Sequence, residues 1–212
     1  MPDLITPGLD ALRHVGRTYA TTRFVRDGAT LYVTDCAAFV ALPDRWPDVA
    51  HDPWSNAAMV RRMGPRIVAA IRSATAGAYP LPVAGNLDAV LALGRSCACG
   101  GLRVNCEECG GDGEDKDRCD CLECDGIGTV ECDEPCSPRG EIWPDRHRMV
   151  GIDVDPQLVA SVFRAFVALG VEWVRMSRAS VKVYDGSSTD ALAIASEDGQ
   201  IAACVVSMKA DR

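Results

Sequence analysis

The chain has no uninterrupted apolar run long enough for a membrane helix; the longest candidate, Leu158 to Val174, is broken by Arg164 and Glu172. Its first residues, Met1-Pro2-Asp3-Leu4, lack the basic stretch followed by an apolar one that marks a secretory leader. These two absences make a soluble, cytoplasmic protein with no membrane partner the expectation. Catalytic signatures are missing as well. There is no phosphate-binding glycine loop, no Gly-x-Ser-x-Gly elbow and no His-Glu-x-x-His sequence. His14 and His51 have no base, nucleophile or metal ligand at informative spacing, so surface or capping roles suit them. His147 lies in Arg146-His147-Arg148, which reads as an exposed basic stretch, and Asp155, beside Asp153, reads as a helix cap. The chain therefore reads as non-enzymatic.

What is present is a core and a cysteine cluster. Of 212 residues, 48% are hydrophobic and 25% charged, which suits one medium domain with an insertion, or two small ones. Nine of the eleven cysteines fall between Cys97 and Cys136. Without a secretory leader, such clustering favours metal over a disulfide framework or redox centre. The outliers, Cys36 and Cys204, sit in apolar surroundings and read as small core residues.

The formal net charge of −8 is unevenly placed. Residues 97–140 carry twelve acidic side chains against four basic ones, so the whole excess lies there and the remainder is neutral. That segment repels phosphate backbones and is a poor candidate for a nucleic-acid finger.

Composition divides the chain into an α+β part over residues 1–95, a cysteine-rich module over 96–140 and a second α+β part over 141–212 that packs with the first. In the first part, Thr6-Pro7 opens a helix carrying Leu9, Leu12, Val15 and Tyr19. Arg23 to Val25 and Thr30 to Val33 read as strands around Asp27-Gly28, and Cys36 to Leu42 continues the β pattern. Ser55 and Gly64 bracket a short helix. Pro65 to Thr75 and Leu87 to Leu93 read as further helices, the last capped by Asn86 and stopped by Gly94. In the third part, Met149 to Val154 reads as a strand, and Asp155-Pro156 starts a helix that Gly170 ends. Val171–Met176, Val181–Tyr184, Ala191–Ala195 and Ile201–Ser207 follow as strands.

Within the module, Cys106-Glu107-Glu108-Cys109-Gly110-Gly111-Asp112-Gly113 fits CxxCxGxG, and Cys121-Leu122-Glu123-Cys124-Asp125-Gly126-Ile127-Gly128 fits it again. Each CxxC can turn back so that two sulfurs converge on one tetrahedral ion. The glycines beyond supply positive-φ positions that leave backbone amides free to face the thiolates. Cys97-Ala98-Cys99 precedes these motifs and Cys132-Asp133-Glu134-Pro135-Cys136 follows them, with altered spacing. The segment resembles the cysteine-rich zinc domain of DnaJ-type co-chaperones, in which four such repeats bind two zinc ions in a nested hairpin. Carried over by position, the resemblance implies an inner ion on Cys106, Cys109, Cys121 and Cys124 and an outer one on Cys97, Cys99, Cys132 and Cys136. Cys119, beside Cys121, is an alternative ligand. No His-Pro-Asp signature of a J-domain occurs.

The flanks share a plan of amphipathic helix followed by short strands. The second closes with Val205-Val206-Ser207-Met208-Lys209, and the first contains Gly28-Ala29-Thr30-Leu31-Tyr32-Val33-Thr34-Asp35. Both stretches resemble sequences of DNA sliding clamp domains. That resemblance implies helix-plus-antiparallel-strand units, two in number, and a setting in DNA replication or repair that includes virus-encoded factors. A clamp subunit of the bacterial type has three such domains and this chain has room for one, so a ring would require a homo-oligomer. That family lines its channel with basic helix faces. Here Arg13 and Arg17 share one face of the first helix, and Arg61, Arg62, Arg66 and Arg72 form a basic stretch, which also reads as a solvated helix face; the last helix carries only Arg164.

The leading expectation is thus a non-enzymatic, zinc-stabilised protein acting on a protein partner, its acidic module an arm on an α+β body. Chaperone-like binding of unfolded chains, DNA binding through the arginine-bearing helices, and an enzyme with a site assembled from scattered residues are the other readings.

Overall fold

The computed structural model describes residues 10–13, 15, 22–35, 37–46, 57–97, 103–110, 112, 124, 127–131, 141–182 and 187–208. The class is α+β, and the chain divides into two compact units, Met1–Leu91 with Asp145–Arg212, and Ala92–Pro144. No helix among the described residues is long and apolar enough to cross a membrane.

In the first unit, β1 (Arg23–Asp27), β2 (Thr30–Thr34) and β3 (Ala38–Pro43) precede the helix α1 (Ala57–Thr75), the short strand β4 (Pro80–Pro82) and the helix α2 (Val83–Leu91). The second unit holds β5 (Arg95–Ser96), β6 (Arg103–Asn105), β7 (Thr129–Glu131) and β8 (Glu141–Ile142). The chain re-enters the first unit through β9 (His147–Met149), β10 (Ile152–Val154), α3 (Pro156–Ala168), β11 (Trp173–Lys182), β12 (Ser188–Ser196) and β13 (Ala202–Val206).

Seven strands form one antiparallel sheet in the order β1-β2-β3-β13-β12-β11-β4. Each flank supplies a three-strand meander, and the meanders join where β3 pairs with β13. Turn chemistry sets the hairpins. Gly28 takes φ 57° between β1 and β2, and Gly199 takes φ 69° between β12 and β13. The Asp35 carboxylate accepts the Ala37 and Ala38 amides at 3.0 and 2.8 Å, closing the turn into β3.

The central strands are buried on both faces, and the period of two assigns each residue to a side. Ala191, Ala193 and Ala195 pack with Val60 and Ile71 of α1. Leu192 and Ile194, of opposite parity, are fully buried on the face that α3 covers through its contacts with β3 and β13. Small alanines beneath α1 let a long helix lie close to the sheet. Cys204 belongs to that core, and burial pushes its thiol up to about 12, so it is an inert small hydrophobe as expected. Cys36 lies outside the described residues, as does most of the expected first helix. Residues 10–13 are helical, with Leu12 and Val15 fully buried.

Several elements differ from the sequence expectations. The boundary expected at Gly64-Pro65 does not exist: α1 runs through it, because Val60, Gly64, Ile71 and Thr75 make one continuous buried stripe. Pro65 forfeits one helix hydrogen bond, which burial of that stripe offsets. Gly64 is there for contact, since an added Cβ would lie 2.6 Å from the Tyr32 ring, itself stacked on Phe39. α2 begins at Val83, so Asn86 is no cap; its side-chain amide donates to the Pro82 carbonyl at 2.7 Å within the first turn. The strand expected over Met149 to Val154 is a hairpin, β9–β10, turned at Val150 and Gly151 with φ of 50° and 81°. A β-branched residue at positive φ gives no turn signal. Val171–Met176 and Val181–Tyr184 do not form two strands, since β11 bridges them, and Arg178 in its middle pairs with Asp190 of β12 at 2.6 Å. The expected start of α3 holds: Asp155 accepts the amides of Gln157 and Leu158.

The edge strand β4 carries no strand signal in the sequence, because two of its three residues are prolines. Proline lacks an amide hydrogen, so only Leu81 can donate to β11, and the outer margin of the sheet offers no donor at Pro80 or Pro82.

Because Tyr32 is buried, its ring cannot yield to a methyl group at position 64. Gly64→Ala is expected to lower stability by about 1–3 kcal/mol in urea unfolding, against the gain usual for glycine to alanine in a helix.

Candidate metal centre

In the second unit, β6 and β7 pair antiparallel with Val104 opposite Val130 and Asn105 opposite Thr129. Cys106 directly follows β6, and Gly128 directly precedes β7. Their backbones join where the Cys106 amide donates to the Gly128 carbonyl at 2.9 Å. The ladder thereby places the first cysteine of one CxxC motif beside the end of the other. Gly110, at φ 66°, turns the chain after Cys109, and the Asp112 amide donates to the Cys109 carbonyl at 3.3 Å. Gly128, at φ 78°, directs its own amide at the Cys124 sulfur, 3.2 Å away.

The sulfurs of Cys106, Cys109 and Cys124 all lie within 4.8 Å of one another. Cys109 and Cys124 are 3.8 Å apart, far beyond a disulfide bond. Tetrahedral metal–thiolate bonds of about 2.3 Å place neighbouring sulfurs about 3.8 Å apart, so this separation is an edge of such a site. Cys106 and Cys124 are buried and Cys109 is half-buried, with Val130 packed against them. The amide donated to Cys124 stabilises negative charge on that sulfur, as a metal-bound thiolate requires. The triad is thus positioned for binding a metal ion.

No protein-family model matches the chain, and no solved structure matches it.

Of the eight cysteines expected as ligands, the structure brings together Cys106, Cys109 and Cys124. Cys97 follows β5 in the same unit and is buried, but it is not a member of the triad. Cys99, Cys121, Cys132 and Cys136 lie outside the described residues, as does Cys119. The expectation that glycines beyond the CxxC pairs face amides toward sulfur is met at Gly128. What the sequence did not announce was the framing ladder. β6 and β7 are three residues each, too short for an alternating pattern to stand out.

Chelation of the metal is expected to release β6 and β7, raising amide hydrogen exchange at residues 103–105 and 128–131 while the seven-stranded sheet stays protected. Cys106→Ser and Cys124→Ser should each remove about one ion per chain by metal analysis, and Cys204→Ser none. Equal loss from Cys204→Ser would contradict the assignment.

Proposed function

We propose that this chain is a non-enzymatic zinc protein that acts through contacts with a protein partner. The observation that carries this reading is the converging sulfur triad, two of its cysteines buried, with the Gly128 amide directed at Cys124. Clustered thiolates at tetrahedral spacing suit zinc, and a shell of four cysteines leaves no position for a substrate. Cys121, the CxxC partner of Cys124, is the fourth ligand of this ion. Cys97, Cys99, Cys132 and Cys136 hold a second ion, and the burial of Cys97 in the same unit supports their participation. The metal then supplies stability to a segment that carries few large apolar side chains.

Of the two family resemblances, the sliding clamp is supported by the matching three-strand meanders that the flanks contribute to one sheet. A role as a clamp-like factor in DNA replication or repair rests on that parallel. The DnaJ-like reading, binding of unfolded chains, draws less support. Ile127 is the one exposed large hydrophobic side chain among the described residues of the cysteine unit.

A second reading has its own observation. α1 carries Arg61, Arg62, Arg66 and Arg72, all exposed, and contains no acidic residue. That face suits the phosphate backbone of duplex DNA.

Elemental analysis of the purified chain is expected to give about two zinc per molecule. One would leave only the inner site, and none would overturn the proposal. For the second reading, duplex binding should weaken with salt, and Arg62→Ala with Arg66→Ala should reduce the log–log salt slope by about 2. Salt-independent binding, or none, retires it.

A further inference from the structure

The first unit contains a cavity of about 520 Å³ at one end of the seven-stranded sheet. Three stretches of chain enclose it: the exit from β3, the connection between α3 and β11, and the turn between β12 and β13. Its volume falls in the range of about 300–1,000 Å³ that ligand sites occupy. Two indoles line it. Trp46 is buried, whereas Trp173 is 44% exposed.

The backbones of both tryptophans are fixed. Arg26 of β1 forms an ion pair with Asp44, and its Nη2 donates to the Trp46 carbonyl at 2.6 Å. Asp44 also accepts the Trp46 amide at 3.1 Å. Trp173 lies between two strands, opposite Pro82 of β4, while its carbonyl accepts the Glu197 amide at 3.0 Å. That bond continues the β11–β12 register and sets Glu197 directly across from Trp173.

The electrostatics of the rim favour a cation. Asp198 is held below the usual carboxylate range by hydrogen bonds from the Ser196 hydroxyl and the Gln200 amide, aided by the Arg45 charge. Arg45 and Asp198 therefore offset one another. Glu172 and Glu197 also line the cavity, and neither has a cationic partner among the described residues. The C-terminal end of α3, where the helix dipole is negative, opens at Leu169 and Gly170 onto the same space. Leu42, Pro43 and Ile201 add apolar wall.

We propose that this cavity binds a peptide segment through an arginine or lysine side chain. The cationic head lies against the Trp173 indole between Glu172 and Glu197, and the aliphatic stem lies along the apolar wall. An indole face attracts a guanidinium or ammonium, and the Glu172 and Glu197 carboxylates add Coulomb attraction. The space exceeds one side chain, so apolar residues flanking the cation enter with it. Every lining residue belongs to the first unit, so the inference is independent of the metal reading.

The test is titration of the full chain with acetyl-Leu-Arg-Leu-amide, following tryptophan emission, with acetyl-Leu-Gln-Leu-amide and free agmatine as comparisons. The arginine peptide is expected to give a saturable change. Glu172→Gln with Glu197→Gln should weaken it at least about threefold, and Trp173→Ala by a similar factor. Circular dichroism of the exposed carboxylate variants should match the parent, which separates lost binding from lost fold. An equal response to the glutamine peptide, no effect of the charge variants, or no saturation below about 5 mM would overturn the proposal. Agmatine binding as tightly as the peptide would overturn the peptide as the source of the cation.

Discussion

Antiparallel pairing between β3 and β13 joins residues 38–41 to residues 202–205, about 160 positions apart along the chain. Either meander alone would leave its joining strand, β3 or β13, with one edge unpaired. Together they present the surface on which α1 lies, in contact with β1 from one flank and with β11, β12 and β13 from the other. The buried stripe of α1 therefore has no complete partner until both ends of the chain have met. The cysteine unit sits inside the loop that this meeting closes. Its own ends are brought together where Arg95 pairs with Ile142 and Ser96 with Glu141. A metal bound by that unit would take much of the intervening chain out of the free loop and so lower the entropy opposing β3–β13 pairing.

The charge distribution follows the same division. The acidic excess lies between residues 97 and 140, and the remaining chain is balanced. Within that balanced part, four arginines lie on α1, and the cavity rim carries Glu172 and Glu197, which have no cationic partner among the described residues. A polyanion and a cationic side chain, were both bound as proposed, would find different addresses on one body. Arg26 ties these regions together: its carbonyl accepts Arg61 of α1, while its guanidinium holds Asp44 and the Trp46 backbone.

Much of this was legible in the residues. Strong local chemistry was read where it occurs: the cap at Asp155, the turn at Gly28, the burial of Cys204 and the convergence of Cys106, Cys109 and Cys124. Misreadings arose where tertiary packing overrode a local signal. Gly64-Pro65 has the look of a boundary, yet the glycine exists to admit the Tyr32 ring and the helix continues. Val150 turns a hairpin that no turn residue but Gly151 announces. The cavity was invisible because Trp46, Trp173 and Glu197 are far apart in sequence, and only strand register makes the last two neighbours.

The margins of the sheet carry a consequence for how this molecule can associate. On one side, Pro80 and Pro82 remove the donors that an incoming strand would need. On the other, the Arg26 carbonyl of β1 is already occupied by the Arg61 guanidinium. A newcomer that tried to extend the sheet would find acceptors without donors at one border and a side chain in its path at the other. Backbone-templated growth, the route to fibrils, is therefore discouraged at both borders, and recognition is left to side chains, which can discriminate among sequences as a bare strand edge cannot.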